Sequence, residues 1–431
     1  MAKQYGNVYT VWAANLPIVI LSGFQTVKEG LVDHLEELSE RPQTPFFATF
    51  GQRRGIILSN GHIRKQQRRF GLVTMRKLGL GKKGMENQIE EEARQLVEIF
   101  AREKGQPFDP SAAITNSVSN VICAVTFGHR FSLEDETFKK LIEALELTLN
   151  FAGSFSHALH EVVPWLMNHL PGPHKNAFDF SEMLVSLAKK EIEEHKEKSL
   201  HKPQDFIDFY LLQIEKSRKD LTSTYDEENL ALCIQDFFMA GTETTAIALK
   251  WAILLLTNHP DIQDKVSKEL KDAPSSLRYQ DRKNLSYTNA VIHEIQRSKY
   301  ILLAGFPRQS AKDVNIGGFL IPKGTLIFPD LRSVLLDPKQ WETPEEFNPN
   351  HFLDTEGNFV PREAFLPFGA GNQVGLGSNL ARIETFIFLT SLLRAFRFQL
   401  PEVKAFKENP VVGITTSPHP YKVCVVPRSR F

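Results

Sequence analysis

Residues 365–384 read FLPFGAGNQVGLGSNLARIE. Each of Gly369, Gly371, Gly375 and Gly377 would cost about 0.5–1 kcal/mol relative to alanine inside a helix or strand, and Pro361 and Pro367 stiffen the approach to them. The segment is therefore a shaped loop. Downstream, Leu380, Ile383, Phe386, Ile387, Leu389 and Leu393 predict a buried helix over Ser378–Leu393. A glycine-rich turn feeding such a helix lets backbone approach something flat or bulky.

The rest of the chain bounds what that object can be. Across 431 residues no Pro/Ser/Gly-rich linker or low-complexity run divides the sequence, so 1–431 is expected to be one large, mainly α domain with small β-sheets. Lysine plus arginine and aspartate plus glutamate balance at 51 each, which removes any bulk-charge argument for nucleic acid. Cys123, Cys233 and Cys424 are too scattered for a disulfide framework or a metal-binding pair. The 32 phenylalanines suit a hydrophobic pocket and suit a large core equally. No run of about 20 apolar residues is present, and MAKQYGNVYTVW is not a signal peptide.

In chain order, residues 7–24 predict a hairpin turning at Asn15–Pro17, followed by helix over 24–38. Residues 59–78 predict a helix carrying Arg64, Lys65, Arg68 and Arg69 close together, either a solvated face or a binding one. Further helices are expected over 85–103, 134–150, 176–199 and 204–217, with a proline-broken apolar stretch at 160–175. Residues 226–258 form the longest helical pattern. Its middle, Ala240-Gly241-Thr242-Glu243-Thr244-Thr245, places polar groups where unpaired burial costs on the order of 1–3 kcal/mol. That interruption marks a kink or a site, unless the threonines only bond back to the preceding turn. Helix is expected again over 261–271 and 286–300, where Glu294 and Arg297 stand one turn apart. Residues 313–329 and 410–427 read as short strands, and 341–354 as irregular.

AGTETT (240–245), EIQR (294–297), FNPNHF (347–352) and PFGAGNQVGLG (367–377), in this order, resemble a cytochrome P-450, a haem-thiolate monooxygenase, over essentially the whole chain. YGNV (5–8), RPQTP (41–45), GQPFDP (105–110), LPGPH (170–174) and YTNAVIHEIQR (287–297) resemble family-2 members, nearest the J-type fatty-acid epoxygenases. The resemblance implies haem as cofactor, a lipophilic substrate such as a fatty acid or xenobiotic, and residence at the endoplasmic reticulum membrane. It makes Glu243 and Thr244 the acid–alcohol pair that delivers protons, and Glu294, Arg297 and His351 a buried charge triad. Arg68 and Arg308 would hold the haem propionates, while Phe368, Gly371 and the loop around them would cradle the ring. Arg64, Lys65, Arg68 and Arg69 match the face on which an NADPH-dependent reductase or cytochrome b5 docks.

The loop departs from the family's F-x-x-G-x-x-x-C-x-G pattern. Counting from Phe368 through Gly371 puts Gly375 where the axial cysteine belongs; Gln373 stands where arginine is usual, and Arg64 where tryptophan is usual. Ser378 and Leu303 replace a common glutamate and proline. The resemblance then leaves two expectations: a monooxygenase with impaired thiolate chemistry, or a non-catalytic relative that binds a lipid or a redox partner. The chain also starts at the family's first strand region, so no anchor, hinge or first helix is expected. Only the segment 162–170 and the N-terminal hairpin would touch a bilayer surface.

Overall fold

A computed structural model describes residues 1–13, 16–79, 83–197, 202–303, 305–371, 375–402 and 405–428. Its axis is the central helix, Glu227–Asn258. The Asp226 carboxylate caps it by accepting from the Asn229 N–H at 2.7 Å, and Glu227 and Glu228 in the first turn complement the helix dipole. Apolar residues surround it on nearly every side, because it runs through the middle of the larger hydrophobic core. By length and composition this helix could cross a membrane; 72% of its most apolar window is buried inside the protein, as befits a core helix.

Around it pack Ser111–Phe127, Pro173–Lys196 and the loop helix, Ser378–Ala395. The expected helices appear at Gly61–Lys77, Lys83–Arg102, Glu136–Ala152, Phe206–Lys216, Pro260–Lys271 and Ser286–Ser298. Ser111–Phe127 was not expected. Its sequence SAAITNSVSNVICAVTF is buried on almost all faces, so it lacks the apolar stripe that betrays a surface helix.

A four-stranded sheet covers a second, smaller core. Strands β1 (Val8–Ala13) and β2 (Leu16–Leu21) form the expected hairpin, with Val8 opposite Leu21 and Ala13 opposite Leu16. Pro17, expected in the turn, lies in β2 opposite Trp12, and Asn15 lies outside the described residues. The sheet continues from β2 to a parallel neighbour, β6 (Leu326–Pro329), and then to β3 (Arg308–Gln309), while β4 (Val314–Ile316) and β5 (Phe319–Ile321) make a separate hairpin. The helix expected over 24–38 is shorter. Phe24–Lys28 is α-helical and Glu29–Asp33 widens into a π-helix at Gly30, where a Cβ would come within 2.6 Å of Leu21 Cδ1. The proline-broken stretch resolves into Phe155–Val162 and Pro164–Met167, which leave Phe155, Trp165, Leu166 and Leu170 exposed.

Candidate haem site

The middle of the central helix opens onto a space. Ala240 is exposed although Phe238 and Thr242 beside it are fully buried, and Thr244, one turn on, shares its half-open face. Thr244 bonds back to its own helix, its hydroxyl donating to the Ala240 carbonyl at 2.7 Å. Glu243 is buried on a neighbouring face, where desolvation pushes its carboxyl above the usual range. The two residues expected to act as a pair thus face different surroundings, with only Thr244 on the open side.

A second wall is cationic. In the arginine helix, Gly61–Lys77, the side chains of Arg64 and Arg68 turn inward while Lys65 and Arg69 face solvent. Residues four apart share a helix face, so the basic cluster divides into an inner and an outer pair. This corrects the expectation that all four form a docking surface: Arg64 is buried, its Nη1 donating to the Ser39 carbonyl at 2.6 Å. Arg308, at the start of β3, is also buried, and its Nε and Nη1 have no acceptor among the described residues. Arg41 joins them. Its Nη1 donates to the Pro307 carbonyl at 3.2 Å, its guanidinium lies 4.5 Å from the Phe306 ring centroid, and its Nε is buried without an acceptor among the described residues.

These cations repel one another. Burial, then Arg64 and Arg68, hold the Arg308 guanidinium down at about 9; burial, then Arg308, Arg64 and Arg68, also lower Arg41 well below its usual range. Arg64 falls to about 10 through burial and Arg68. Buried like charges are costly unless an anion compensates them.

The glycine-rich loop closes the third side. Gly371 has φ +70°, and a Cβ there would meet the Leu31 carbonyl oxygen at 2.2 Å and Leu35 Cδ2 at 2.5 Å. Leu31 and Leu35 also line a crevice with Arg308. On the other flank, a Cβ on Gly71 of the arginine helix would lie 3.1 Å from Leu376 Cδ1 and 3.4 Å from Phe237 of the central helix. Phe368 stacks under the Arg382 guanidinium at 5.2 Å and accepts, through its carbonyl, from the Gly375 N–H at 3.4 Å. Gly375 is exposed, its backbone lies outside the left-handed region, and a Cβ built on it meets nothing within 4 Å. Gln373 lies outside the described residues.

Beneath the loop, Arg297 and Glu294 form a bidentate pair at 2.7 Å and 2.7 Å, both wholly buried. The other Arg297 N–H groups donate to the carbonyls of Leu335, Pro344 and Glu346, each at 2.8 Å, so all five guanidinium donors are used. His351 completes the group. The Thr343 N–H donates to its Nε2 at 3.2 Å, which puts the ring proton on Nδ1, 3.2 Å from both Glu294 oxygens. The contrast with Arg308 is direct: one buried guanidinium is saturated and the other keeps donors for a ligand.

Sequence alone missed Arg41, Asp236 and Glu384. Asp236 Oδ2 accepts from the N–H groups of Ile56 and Ile57 at 2.5 and 2.9 Å, fastening the segment before the arginine helix to the central helix. No spacing rule marks these residues; their meaning comes from burial.

The sequence profile described as Cytochrome P450 matches residues 1–425. The chain belongs to the cytochrome P450 family. It is 40% identical to Cytochrome P450 2J2 of Homo sapiens over 99% of its own length and 86% of the relative's. Cytochrome P450 2J1 of Oryctolagus cuniculus is 39% identical and Cytochrome P450 2K1 of Oncorhynchus mykiss 38%, each over 99% of this chain and 86% of the relative. The P450 fold, mainly helical with small sheets, and haem as the family's cofactor follow from membership.

The residues fit haem on one side and not on the other. Buried Arg41 and Arg308, whose donors lack acceptors among the described residues, suit its carboxylates. Gly375 offers no donor atom to iron. Cys123 and Cys233 are fully buried in the helical core, and Cys424 lies on the C-terminal strand Cys424–Pro427.

Proposed function

We propose that residues 1–431 form one domain, a P450-type protein that seats haem but lacks the thiolate-supported monooxygenase chemistry of its family. The observation that carries the reading is the pairing of Arg308, buried with open donors, with Gly375, which has empty space where a ligand side chain would stand. In the family, haem supplies the iron at which dioxygen is activated for insertion into a lipophilic substrate, with a cysteine thiolate favouring O–O cleavage. In this chain Arg41, Arg64, Arg68 and Arg308 neutralise and orient the carboxylates. Phe368 and Gly371 set the height of the loop. Glu243 lies buried within the helix, its carboxyl raised by desolvation, while Thr244 presents its hydroxyl to the open face, already oriented by Ala240. Neither replaces the missing donor.

Substrate and partner follow the same logic. The open face beside Ala240 suits a lipophilic molecule such as a fatty acid. Lys65 and Arg69, the outward half of the basic cluster, suit an acidic patch on a reductase or cytochrome b5. Phe155, Trp165, Leu166 and Leu170 suit contact with the surface of the endoplasmic reticulum membrane.

The test is the reduced, carbon-monoxide-bound absorption spectrum of the haem-supplied chain. Absence of the thiolate-type Soret band is expected, and its appearance would refute the reading. Gly375→Cys is expected to restore that band. If the chain takes up no haem, the non-catalytic alternative replaces the reading.

A further inference from the structure

We propose that this chain is a tetrapyrrole-dicarboxylate site indifferent to the metal, binding metal-free protoporphyrin IX as readily as haem. The inference rests on the haem-seat reading above and goes beyond it to the ligand class. Two independent observations carry it. The groups that recognise carboxylate are built into the protein interior: Arg308 keeps Nε and Nη1, and Arg41 keeps Nε, buried without an acceptor among the described residues, on side chains more than nine-tenths buried. Arg297 shows that this chain can saturate a buried guanidinium completely when it has only structural work. Unused donors on two neighbouring arginines call for a dianion.

The group that would recognise iron is missing. In a haem protein, discrimination between haem and the free porphyrin comes from the bond between iron and a protein donor, since the ring and its carboxylates are common to both. Gly375 has no donor. The neighbouring loop residues Asn372, Gln373, Val374 and Leu376 include no thiolate or imidazole. His293 sits among aromatic rings, packed against Phe352, Phe359 and Phe365, with its Nδ1 donating to the Asn289 carbonyl at 2.8 Å. What remains is the arginine clamp, which acts equally on either ligand.

The experiment titrates the full chain, prepared free of tetrapyrrole, with haemin, protoporphyrin IX and protoporphyrin IX dimethyl ester, following quenching of tryptophan fluorescence. Haemin and protoporphyrin IX are expected to bind within about threefold of each other, and the ester, which lacks carboxylates, at least about tenfold more weakly. Gly375→Cys is expected to tighten haemin by about tenfold or more and leave protoporphyrin IX unchanged. Haemin binding more than about tenfold tighter than protoporphyrin IX in the unaltered chain would overturn the proposal while leaving the haem seat standing. Equal binding of acid and ester would overturn the arginine clamp, and no binding of any of the three would remove the haem seat itself.

Discussion

Thr245 donates its hydroxyl to Oε2 of Glu384 across 3.0 Å, joining the central helix to the loop helix inside the core. Glu384 Oε1 is buried with no partner among the described residues, and burial pushes the carboxyl up to about 8. The folded state therefore binds this proton more tightly than the unfolded chain. Stability from the group is full below about pH 4.5 and is lost as pH rises to about 8. Glu384→Gln keeps an acceptor for Thr245 and cannot ionise. Denaturant melts at pH 5 and pH 8 are expected to show the unaltered chain losing a few kcal/mol more than the variant over that interval. Parallel losses would refute the assignment.

Asp236 makes a comparable attachment with a different failure mode. Burial first, opposed by the Ile57 and Ile56 amides and by Arg41, leaves its carboxyl near 7. Asp236→Leu strands the buried Ile56 N–H, worth roughly 1–3 kcal/mol, and the partly buried Ile57 N–H, whereas Asp236→Asn retains an accepting oxygen. Equilibrium unfolding is expected to show the leucine variant losing at least twice as much stability as the asparagine variant. Equal losses would mean that the segment before the arginine helix is held by packing rather than by these two bonds.

Much of the fold was legible because its determinants are periodic. The hairpin at Val8–Leu21, the arginine helix and the central helix follow from alternation, capping and apolar spacing. Ser111–Phe127 was not legible, since a helix buried all round has no stripe to find. The site divided in the same way. Glu243, Thr244, Arg68, Arg308 and the loop glycines were marked by ordered motifs, but sequence could not say that Arg64 faces inward beside Lys65 facing out. Nor could it find Arg41, whose role depends on the approach of Phe306 and Pro307 from a segment far along the chain.

The buried triad predicts a loss that charge conservation does not rescue. Arg297→Lys keeps a positive charge but cannot form the planar fork with Glu294 while also reaching Leu335, Pro344 and Glu346. The variant is expected to lose roughly 3–5 kcal/mol, the cost of breaking a buried pair, measured by denaturant titration or as loss of soluble protein. A lysine variant within about 1 kcal/mol of the unaltered chain would show the pair to be structurally dispensable.

Three of the loop glycines should respond to alanine in a fixed order. At Gly371, φ +70° disfavours any side chain and the new Cβ would collide with the Leu31 carbonyl at 2.2 Å, so the backbone of the loop must move. Gly369 has φ +80° but open space, leaving only conformational strain on the order of 1 kcal/mol. Gly375 has neither strain nor obstruction, so Gly375→Ala is expected to change stability by less than about 0.5 kcal/mol. Thermal or chemical melts of the three variants should therefore rank Gly371→Ala lowest, Gly369→Ala intermediate and Gly375→Ala level with the unaltered chain. The order separates two meanings of glycine in one loop. Gly371 is required by backbone geometry and contact, whereas Gly375 is required by nothing around it. A marked loss at Gly375 would show that the open space there is needed by the fold, and that the absent donor is not a simple substitution in an otherwise preserved seat.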